Sequence, residues 1–545
     1  LRVMSEGQQK DTARSKMLNG SAWMTAGNIT SRILGAIYII PWVTWLGAYS
    51  DEANALYAQG YNIYSLFITI STAGIPSAIS KLVAHYNGLN EYGVSQKLNR
   101  SALYMALASG VICGTVMMYI ASWPIVYNGD TNLIPVLRSL AWAIFIIPLM
   151  AISRGIFQGY SMMAPSAISQ FVEQLFRIIY MLGATYLIMK IQKGSWVSAV
   201  SQSTFAAFIG AIGACVVLCL AWLKYRGVMQ GTGTIEQPVT EVSTTELILK
   251  IVYQSIPFII IESGINLFQL IDQYSFKRMM PLVGHFTKYQ IDVLYALFAF
   301  NANKLYMIII ALANALAVTA IPLLAMARAK NDQTGMRNQI ENVLMLFYFV
   351  MIPAVLGLYA VAQQVYTVFY RYNHAGVIVL EFAAFMAIPL GLYTVAAAMM
   401  QGISENRRMM KYLGIGLIIK LLIQFPCIWI AQGLGPLLST GIAMMVINYL
   451  IIHSFNQEFR LNFEQMALPT NQILAYSLVM LVITKGVMLL LGLFISPYGR
   501  YTAFFTLVIG VIVGAGVYGY LSLHFRLADK LLGGRAQRLR QIFHM

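Results

Sequence analysis

Long apolar stretches constrain this chain more than any other feature of its sequence. About fourteen segments each hold roughly 20 or more residues with few charges, the length of helix that crosses a hydrocarbon core about 30 Å thick. Of the 545 residues, 59% are hydrophobic and 10% are charged, whereas soluble domains carry about 25% charged residues. A spanning segment must satisfy its own backbone hydrogen bonds, so helices are expected. The sequence therefore predicts an all-α polytopic membrane protein.

The predicted spans divide the chain into four parts. These parts are an N-terminal lobe of six helices (1–224), a cytoplasmic linker (225–248), a C-terminal lobe of six helices (249–456), and an appendage of two helices with a basic tail (457–545). The individual spans are 18–46, 55–84, 101–122, 133–155, 165–190, 198–223, 249–276, 289–327, 339–361, 376–401, 411–431, 435–456, 470–494 and 501–525.

Two short landmarks recur in the two lobes at nearly the same spacing. Gly74-Ile75-Pro76 is echoed by Ala320-Ile321-Pro322, and Phe157-Gln158-Gly159 is echoed by Met400-Gln401-Gly402. Chance similarity between short apolar strings is the alternative explanation. Two matches in register favour a duplicated six-helix unit, the architecture of transporters that rock around a site between two repeats.

Basic residues exceed acidic ones and are unevenly placed. The chain has 36 Lys and Arg against 20 Asp and Glu, a net charge of +16. If the N-terminus is cytoplasmic, most basic residues outside the spans fall on the cytoplasmic side, which predicts that both termini are cytoplasmic. The basic groups at 10–16 and 535–540 are predicted to contact anionic lipids rather than nucleic acid. Scattered Cys and His residues predict no metal site and no cofactor.

The most informative intramembrane charge is Arg32, which follows Ser31 in the first predicted span. It lies about 21 Å along that helix, near the middle of the bilayer, and no acidic residue lies within one turn. A charge at this depth faces a wet cavity or pairs with another helix. A guanidinium suits phosphate oxygens, so a ligand-binding role for Arg32 is favoured over a buried structural pair.

Three further charges lie in the N-terminal lobe. Glu173 and Arg177 are four residues apart, so they share a helix face and can pair. A structural salt bridge is the favoured interpretation, and substrate binding is the alternative. Arg154 is placed at the cytoplasmic mouth as a gating or ion-pair residue, or as a ligand for lipid headgroups.

The C-terminal lobe offers two candidate pairs. Glu262 is predicted to pair with Lys420, and Asp272 with Lys304. Such pairs lock a gate, carry a coupling ion or hold helices together, and the sequence does not choose among these roles. Lys485 in the appendage is interpreted as snorkelling to the interface, with a lipid-chain groove as the alternative.

Four stretches resemble the multidrug/oligosaccharidyl-lipid/polysaccharide exporter superfamily. Within it the chain is similar to the polysaccharide-transporter branch that contains the peptidoglycan lipid II flippases of the MurJ/YtgP type. The stretches are Ser31-Arg32-Ile33-Leu34-Gly35, the run from Gly74 to Leu82, the run from Arg154 to Gly159, and the pattern from Ala164 through Glu173 to Arg177.

The resemblance implies a pair of six-helix lobes in a V around a cationic cavity, with a groove for a polyprenyl chain at the last two helices. It implies that Arg32 binds the diphosphate of the substrate and that Lys304 stands in for a family arginine. A sodium site of some members uses the seventh, eleventh and twelfth helices. Lys420 interrupts the eleventh helix here, which departs from that pattern.

No catalytic motif and no nucleotide-binding loop is recognisable, so energy is expected from the membrane potential, Na+, H+ or the substrate gradient. The hypothesis is a monomeric flippase in the bacterial plasma membrane. It moves an undecaprenyl-diphosphate-linked cell-wall precursor, in the first place lipid II, to the outer leaflet by alternating access. Alternatives are an exporter of another lipid-linked oligosaccharide, a cation-coupled multidrug antiporter and a non-transporting scaffold for wall synthesis.

Overall fold

The computed structural model describes residues 35, 37–72, 74–88, 92–160, 162–230, 253, 255–329, 331–532 and 540. The predicted first span, Ser31 and Arg32, most of the linker and most of the basic tail lie largely or wholly outside these residues. The chain forms two compact units, Leu1–Leu270 and Ile271–Met545. The described residues are almost entirely helical and contain no β-strand.

Nine helices are numbered from the start of the chain to the boundary between the units. They are α1 Ile39–Leu46, α2 Ser50–Thr72, α3 Ile75–Gly88, α4 Tyr92–Ile120, α5 Leu133–Gly159, α6 Met163–Tyr186, α7 Trp196–Gln230, α8 Ser255–Glu262 and α9 Gly264–Val283. A π-helical segment, Leu187–Ile191, extends α6. Helix α9 crosses the boundary between the two units.

The second unit continues with ten more helices. They are α10 Lys288–Ala296, α11 Asn303–Ala329, α12 Gln333–Ala360, α13 Ala362–Tyr370, α14 His374–Gly402, α15 Asn406–Ala431, α16 Gly435–Phe459, α17 Phe463–Phe494, α18 Arg500–His524 and α19 Leu527–Leu532. A π-helical segment, Leu297–Ala302, joins α10 to α11, so the long eighth predicted span is one helix with a widened turn.

Among the described residues, ten helices are long and apolar enough to cross a membrane, or eleven if the bent pair α8 and α9 is one span. One of the ten, Asn406–Phe459, contains α15 and α16 separated by the 3-10 turn Gln432–Leu434. The described parts of the predicted spans from residue 55 onward fall largely on helices, which agrees with the predicted all-α polytopic class.

The predicted span 55–84 is two helices rather than one. Gly74 has a φ of +72°, a conformation that glycine adopts without strain. Helix α3 then begins at Ile75 with Pro76 in its first turn, where proline removes no helical hydrogen bond. The Gly-Ile-Pro sequence therefore causes the break, because Gly74 leaves the helical conformation and Pro76 favours the beginning of a new helix.

Each unit is built around one central helix. In the first unit α5 packs against α2, α3, α4 and α7, and in the second α14 packs against α11, α12 and α16. Both central helices contain a proline and end in Gln-Gly. The two helices carry the Gln-Gly landmark of the predicted repeat. Their terminal glycines, Gly159 and Gly402, make equivalent contacts in the two units.

The matching contacts are close approaches between two backbones. A Cβ on Gly159 would lie 2.9 Å from the Ser80 carbonyl oxygen of α3, and a Cβ on Gly402 would lie 3.1 Å from the Ile321 carbonyl oxygen of α11. In each unit the helix that carries the Ile-Pro sequence therefore packs on the helix that ends in Gln-Gly. Small residues permit this packing where lipid offers no hydrophobic driving force between helices.

Substituting Gly155 tests this packing. A Cβ there would lie 2.6 Å from the Pro76 carbonyl oxygen and 2.8 Å from its Cα. We expect Gly155→Ala to cost about 1–3 kcal/mol, because two backbones must separate. Thermal unfolding in detergent measures the effect. Gly183→Ala on α6 is the matched control, since no atom lies within 4 Å of its Cβ position. Equal melting temperatures for the two variants would contradict the interpretation.

Candidate substrate and ion-pair sites

Arg154 and Glu173 form the main ion pair of the first unit. Arg154 Nη2 lies 2.8 Å from Glu173 Oε2, and Arg154 Nε donates to Ser169 Oγ at 2.8 Å. The two side chains are 12% and 23% exposed. The pair joins α5 to α6, as expected for an ion-pair role of Arg154. Its gating role and its binding of lipid headgroups stay predictions.

Arg177 does not pair with Glu173, so the favoured i, i+4 salt bridge is wrong. The sequence spacing allowed the contact, but Glu173 is engaged by Arg154 from the neighbouring helix. Arg177 Nη2 instead donates to the Tyr57 hydroxyl at 3.2 Å, and its guanidinium lies 5.6 Å from the centre of the Tyr61 ring. Among the described residues Arg177 has no carboxylate partner.

A tyrosine cluster on α2 holds the Arg177 side chain. Tyr57 and Tyr61 stack with ring centres 5.8 Å apart, and Tyr61 lies 5.5 Å from Tyr64. Trp42 packs edge-on against Tyr57 and donates to Asn54 Oδ1 at 2.9 Å. Aromatic faces stabilise a cation without neutralising it. The cluster thus presents a positive charge that remains available to an anion.

Helix α6, which carries Glu173 and Arg177, packs closely against α7 because α7 has a glycine at the contact. A Cβ on Gly210 would lie 2.6 Å from the Glu173 carbonyl oxygen and 3.1 Å from the Arg177 Cβ. Gly35 also lies against α6, since a Cβ on Gly35 would be 3.4 Å from Gln174 Nε2. Gly35 follows Arg32, the residue predicted to bind the diphosphate, by three positions. Ser31 and Arg32 themselves lie outside the described residues, and their roles stay predictions.

The second unit contains a fully buried ammonium group. Lys420 Nζ lies 2.6 Å from Asp272 Oδ1, 2.7 Å from Thr440 Oγ1, 3.2 Å from Ser439 Oγ and 3.3 Å from the Pro436 carbonyl oxygen. The Lys420 side chain is 0% exposed and Asp272 is 12% exposed. One carboxylate, two hydroxyls and one carbonyl are oxygen ligands of the kind that hard cations take. The lysine fills this oxygen cage from α15.

Gln424 completes the cage one helical turn after Lys420. Its Nε2 donates to Asp272 Oδ1 at 2.9 Å and to Ser275 Oγ at 2.8 Å, and its Oε1 accepts from Ser439 Oγ at 2.5 Å. Nearly every polar atom around the pair therefore has a partner, which a buried ion pair requires. The cage joins α9, α15 and α16.

Both predicted pairs of the C-terminal lobe are wrong. Asp272 and Lys420 find each other because the rotation of α9 turns the carboxylate toward α15. Glu262 is exposed at the 45° bend between α8 and α9, and no described residue forms an ion pair with it. Lys304 lies two residues after the π-helical segment, with its ammonium 5.5 Å from the centre of the Phe300 ring. Any role of Lys304 in substrate binding stays a prediction.

Lys485 forms an ion pair within the second unit. Its ammonium lies 3.3 Å from Glu381 Oε1 and 4.6 Å from the centre of the Tyr359 ring. Both charged side chains are about one-third exposed, at 37% and 29%. The pair joins α17 to α14, a contact that the sequence did not predict. Snorkelling of Lys485 and the lipid-chain groove both stay predictions.

Comparisons with known proteins show the family to which the chain belongs. The family model described as polysaccharide biosynthesis protein matches residues 17–328. The chain is 33% identical over 538 residues to the lipid II flippase MurJ of Bacillus subtilis (strain 168), covering 96% of this chain and 97% of that protein.

Two solved structures share the fold. A lipid II flippase MurJ in an inward closed conformation matches with a TM-score of 0.63 at 15% identity, over 93% of this chain and 99% of that one. An inward-facing multidrug resistance MATE transporter of the MOP superfamily matches with a TM-score of 0.58 at 14% identity, over 80% of this chain and 94% of that one.

Spanning helices and a fold shared with these exporters define a multi-pass membrane transport protein of bacteria, not an enzyme. The chain belongs to the polysaccharide biosynthesis protein family and, within it, to the group that contains the Bacillus subtilis MurJ.

Proposed function

We propose that the protein is a flippase for an undecaprenyl-diphosphate-linked cell-wall precursor, lipid II in the first place, which it moves from the inner to the outer leaflet by alternating access. The similarity that carries this proposal is the 33% identity to a lipid II flippase over 96% of the chain. The likeness to multidrug transporters is a likeness of fold at 14% identity and supports no drug substrate.

The substrate's diphosphate is proposed to bind the basic groups of the first unit. Arg32, with Ser31 beside it, is proposed as the main residue that binds the diphosphate, because it is predicted to lie near the middle of the bilayer. Arg177 supports the proposal because its charge has no carboxylate partner among the described residues and its guanidinium fork suits phosphate oxygens. Lys304 of the second unit is proposed as a further substrate-binding residue, and Glu173 is proposed to hold Arg154 in place.

Transport is proposed to be driven by the membrane potential. Outward movement of an anion is favoured by about 2.3 kcal/mol per charge for each 100 mV, inside negative. The oxygen cage around Asp272 supports this proposal, because the Lys420 ammonium fills a set of oxygen ligands that would otherwise suit a cation. Proton coupling remains the alternative to this mechanism.

The setting of the protein in the cell is proposed from its charges. Both termini are proposed to lie in the cytoplasm, where basic residues concentrate. The basic groups at 10–16 and 535–540 are proposed to contact anionic lipids, and the protein is proposed to act as a monomer without nucleic acid. Reporter fusions at the C-terminus test the topology.

Complementation tests the proposed function. We expect the full chain to restore growth and shape to a bacterium depleted of its own lipid II flippase, with lipid II no longer accumulating in the inner leaflet. Failure of a well-expressed protein would contradict the lipid II assignment. Loss of one surface polymer only, on deletion of this gene from its own cell, would favour another lipid-linked oligosaccharide.

The coupling proposal has its own test in proteoliposomes. We expect the flipping rate to rise with an inside-negative potential set by K+ and valinomycin, and to be unchanged when external Na+ is replaced by choline. The reason is that the Lys420 ammonium supplies the positive charge next to Asp272, so no free cation is required in the oxygen cage. A rate that follows the Na+ concentration at constant potential would overturn the proposal.

A further inference from the structure

A cavity of about 260 Å³ lies in the first unit where three helices end together. Its walls include Asn99 and Arg100 in the first turns of α4, Tyr160 directly after α5, and Trp222 and Arg226 in the last turns of α7. None of these residues belongs to the proposed diphosphate site. If the N-terminus is cytoplasmic, this end of the helices is also cytoplasmic.

Among the described residues, neither guanidinium group at the cavity has a carboxylate partner. Arg100 donates to the Tyr104 hydroxyl, at 3.3 Å from both Nε and Nη2, and its guanidinium lies 5.7 Å from the centre of the Tyr104 ring. Arg226 is exposed and forms no ion pair with any described residue. Two cations beside one cavity at a membrane surface attract a phosphate, since basic pockets between helices on the cytoplasmic side bind lipid headgroups.

Asn99 adds a second polar signal to the same cavity. The residue is 4% exposed, and its Nδ2 donates to the Tyr160 hydroxyl at 3.2 Å. Its Oδ1 is buried and accepts no hydrogen bond within the described structure. A buried acceptor without a donor is costly, so a hydroxyl from a bound molecule would relieve this cost.

Two aromatic side chains, Trp222 and Tyr160, line the cavity. Trp222 also lies edge-on to Phe157, with ring centres 6.2 Å apart. Tryptophan and tyrosine concentrate where the hydrocarbon core meets the headgroups. Their rings give the cavity an apolar side suited to the glycerol backbone and the first carbons of an acyl chain.

We propose that this cavity is a binding site for an inner-leaflet anionic glycerophospholipid whose headgroup carries a free hydroxyl, the chemistry of phosphatidylglycerol. Arg100 and Arg226 bind the phosphodiester, and Asn99 Oδ1 accepts from the headgroup hydroxyl. Trp222 and Tyr160 contact the glycerol backbone. The proposal does not depend on the flippase assignment.

Lipid binding to the purified full chain tests the site. The protein is placed in nanodiscs of phosphatidylcholine with one part in five of phosphatidylglycerol, phosphatidylmethanol or undecaprenyl phosphate, and the lipid retained after detergent extraction is counted by mass spectrometry. We expect phosphatidylglycerol to be retained best. The Arg100→Gln/Arg226→Gln variant should bind it about 30-fold more weakly, the loss expected for two basic residues at a membrane surface.

Two matched variants separate the site from general charge. Lys190→Gln/Lys193→Gln removes two exposed basic residues of the same unit that do not line the cavity. This variant should retain phosphatidylglycerol as the wild type does. Arg100→Lys/Arg226→Lys should restore most of the binding, which distinguishes a lost charge from a lost fold. Asn99→Ala should abolish the preference for phosphatidylglycerol over phosphatidylmethanol, which has no headgroup hydroxyl.

Three results would overturn the proposal. The first is equal retention of phosphatidylglycerol by the Gln double variant and the wild type. The second is preferential retention of undecaprenyl phosphate, which would make the cavity part of the substrate path. The third is displacement of the lipid by millimolar inorganic phosphate, which would indicate a site for a soluble anion.

Discussion

Replacement of Lys420 by methionine is expected to lower the free energy of unfolding by about 3–5 kcal/mol, the usual cost of removing one partner of a buried ion pair. The Asp272 carboxylate would keep its hydrogen bond from Gln424 but lose its counter-ion in a largely buried site. Two hydroxyls that accept from the ammonium would lose their donor as well. Thermal unfolding in detergent, followed by tryptophan fluorescence, measures the loss.

Two further variants make this prediction sharp. The double variant Lys420→Met/Asp272→Asn should recover most of the stability, because no unpaired charge is left in the cage. Lys485→Met removes the corresponding lysine of the partly exposed pair with Glu381 and should cost less than about 1 kcal/mol. If Lys420→Met were no more destabilising than Lys485→Met, the cage would not hold a charged pair of structural importance.

The helices were predictable because the bilayer leaves few choices. An apolar stretch of the right length must be helical, so the described parts of the predicted spans from residue 55 onward fall largely on helices. The repeat was also predictable, since Gly159 and Gly402 mark close backbone contacts at which a Cβ would lie 2.9 Å and 3.1 Å from a carbonyl oxygen. The break at Gly74 was readable from its Gly-Ile-Pro sequence, although the prediction treated the span as continuous.

The partners of the charges were not predictable, since a partner depends on how each helix is rotated against its neighbours. Sequence spacing placed Glu173 beside Arg177, but Arg154 of another helix reaches the carboxylate first. Asp272 and Lys420 lie far apart in the chain, and no periodicity connects them.

Two local signals in the sequence pointed toward the groups that the prediction missed. Lys420 and Gln424 lie one turn apart, and Ser439 and Thr440 follow Pro436 at the start of the next helix, so polar groups were concentrated there. Tyr57, Tyr61 and Tyr64 recur at helical spacing on α2, which places their rings on one face. The binding of Arg177 by these rings required the structure.

The largest loss of transport is expected from two arginines of the first unit. Arg32→Ala should abolish complementation of the flippase-depleted strain, because it removes the charge predicted at mid-bilayer to meet the diphosphate. Arg177→Gln should lower the flipping rate in proteoliposomes about 10- to 100-fold, since a hydrogen bond to a charged group contributes about 1.5–3 kcal/mol. Arg138→Gln is the matched control, because Arg138 donates to Ser122 Oγ at 3.0 Å in an exposed position.

The character of the Arg177 substitution separates substrate binding from a structural role. Arg177→Lys keeps the charge over the Tyr61 ring but loses the two-pronged geometry that suits phosphate, so it should flip substrate at an intermediate rate. Tyr57→Phe removes only the hydroxyl that accepts from Arg177 and should have the smallest effect of the three. If Arg177 were merely structural, Arg177→Gln would lower the melting temperature and the flipping rate together, and raising the substrate concentration would restore nothing. A diphosphate ligand predicts an unchanged melting temperature and a flipping rate that recovers as substrate approaches saturation.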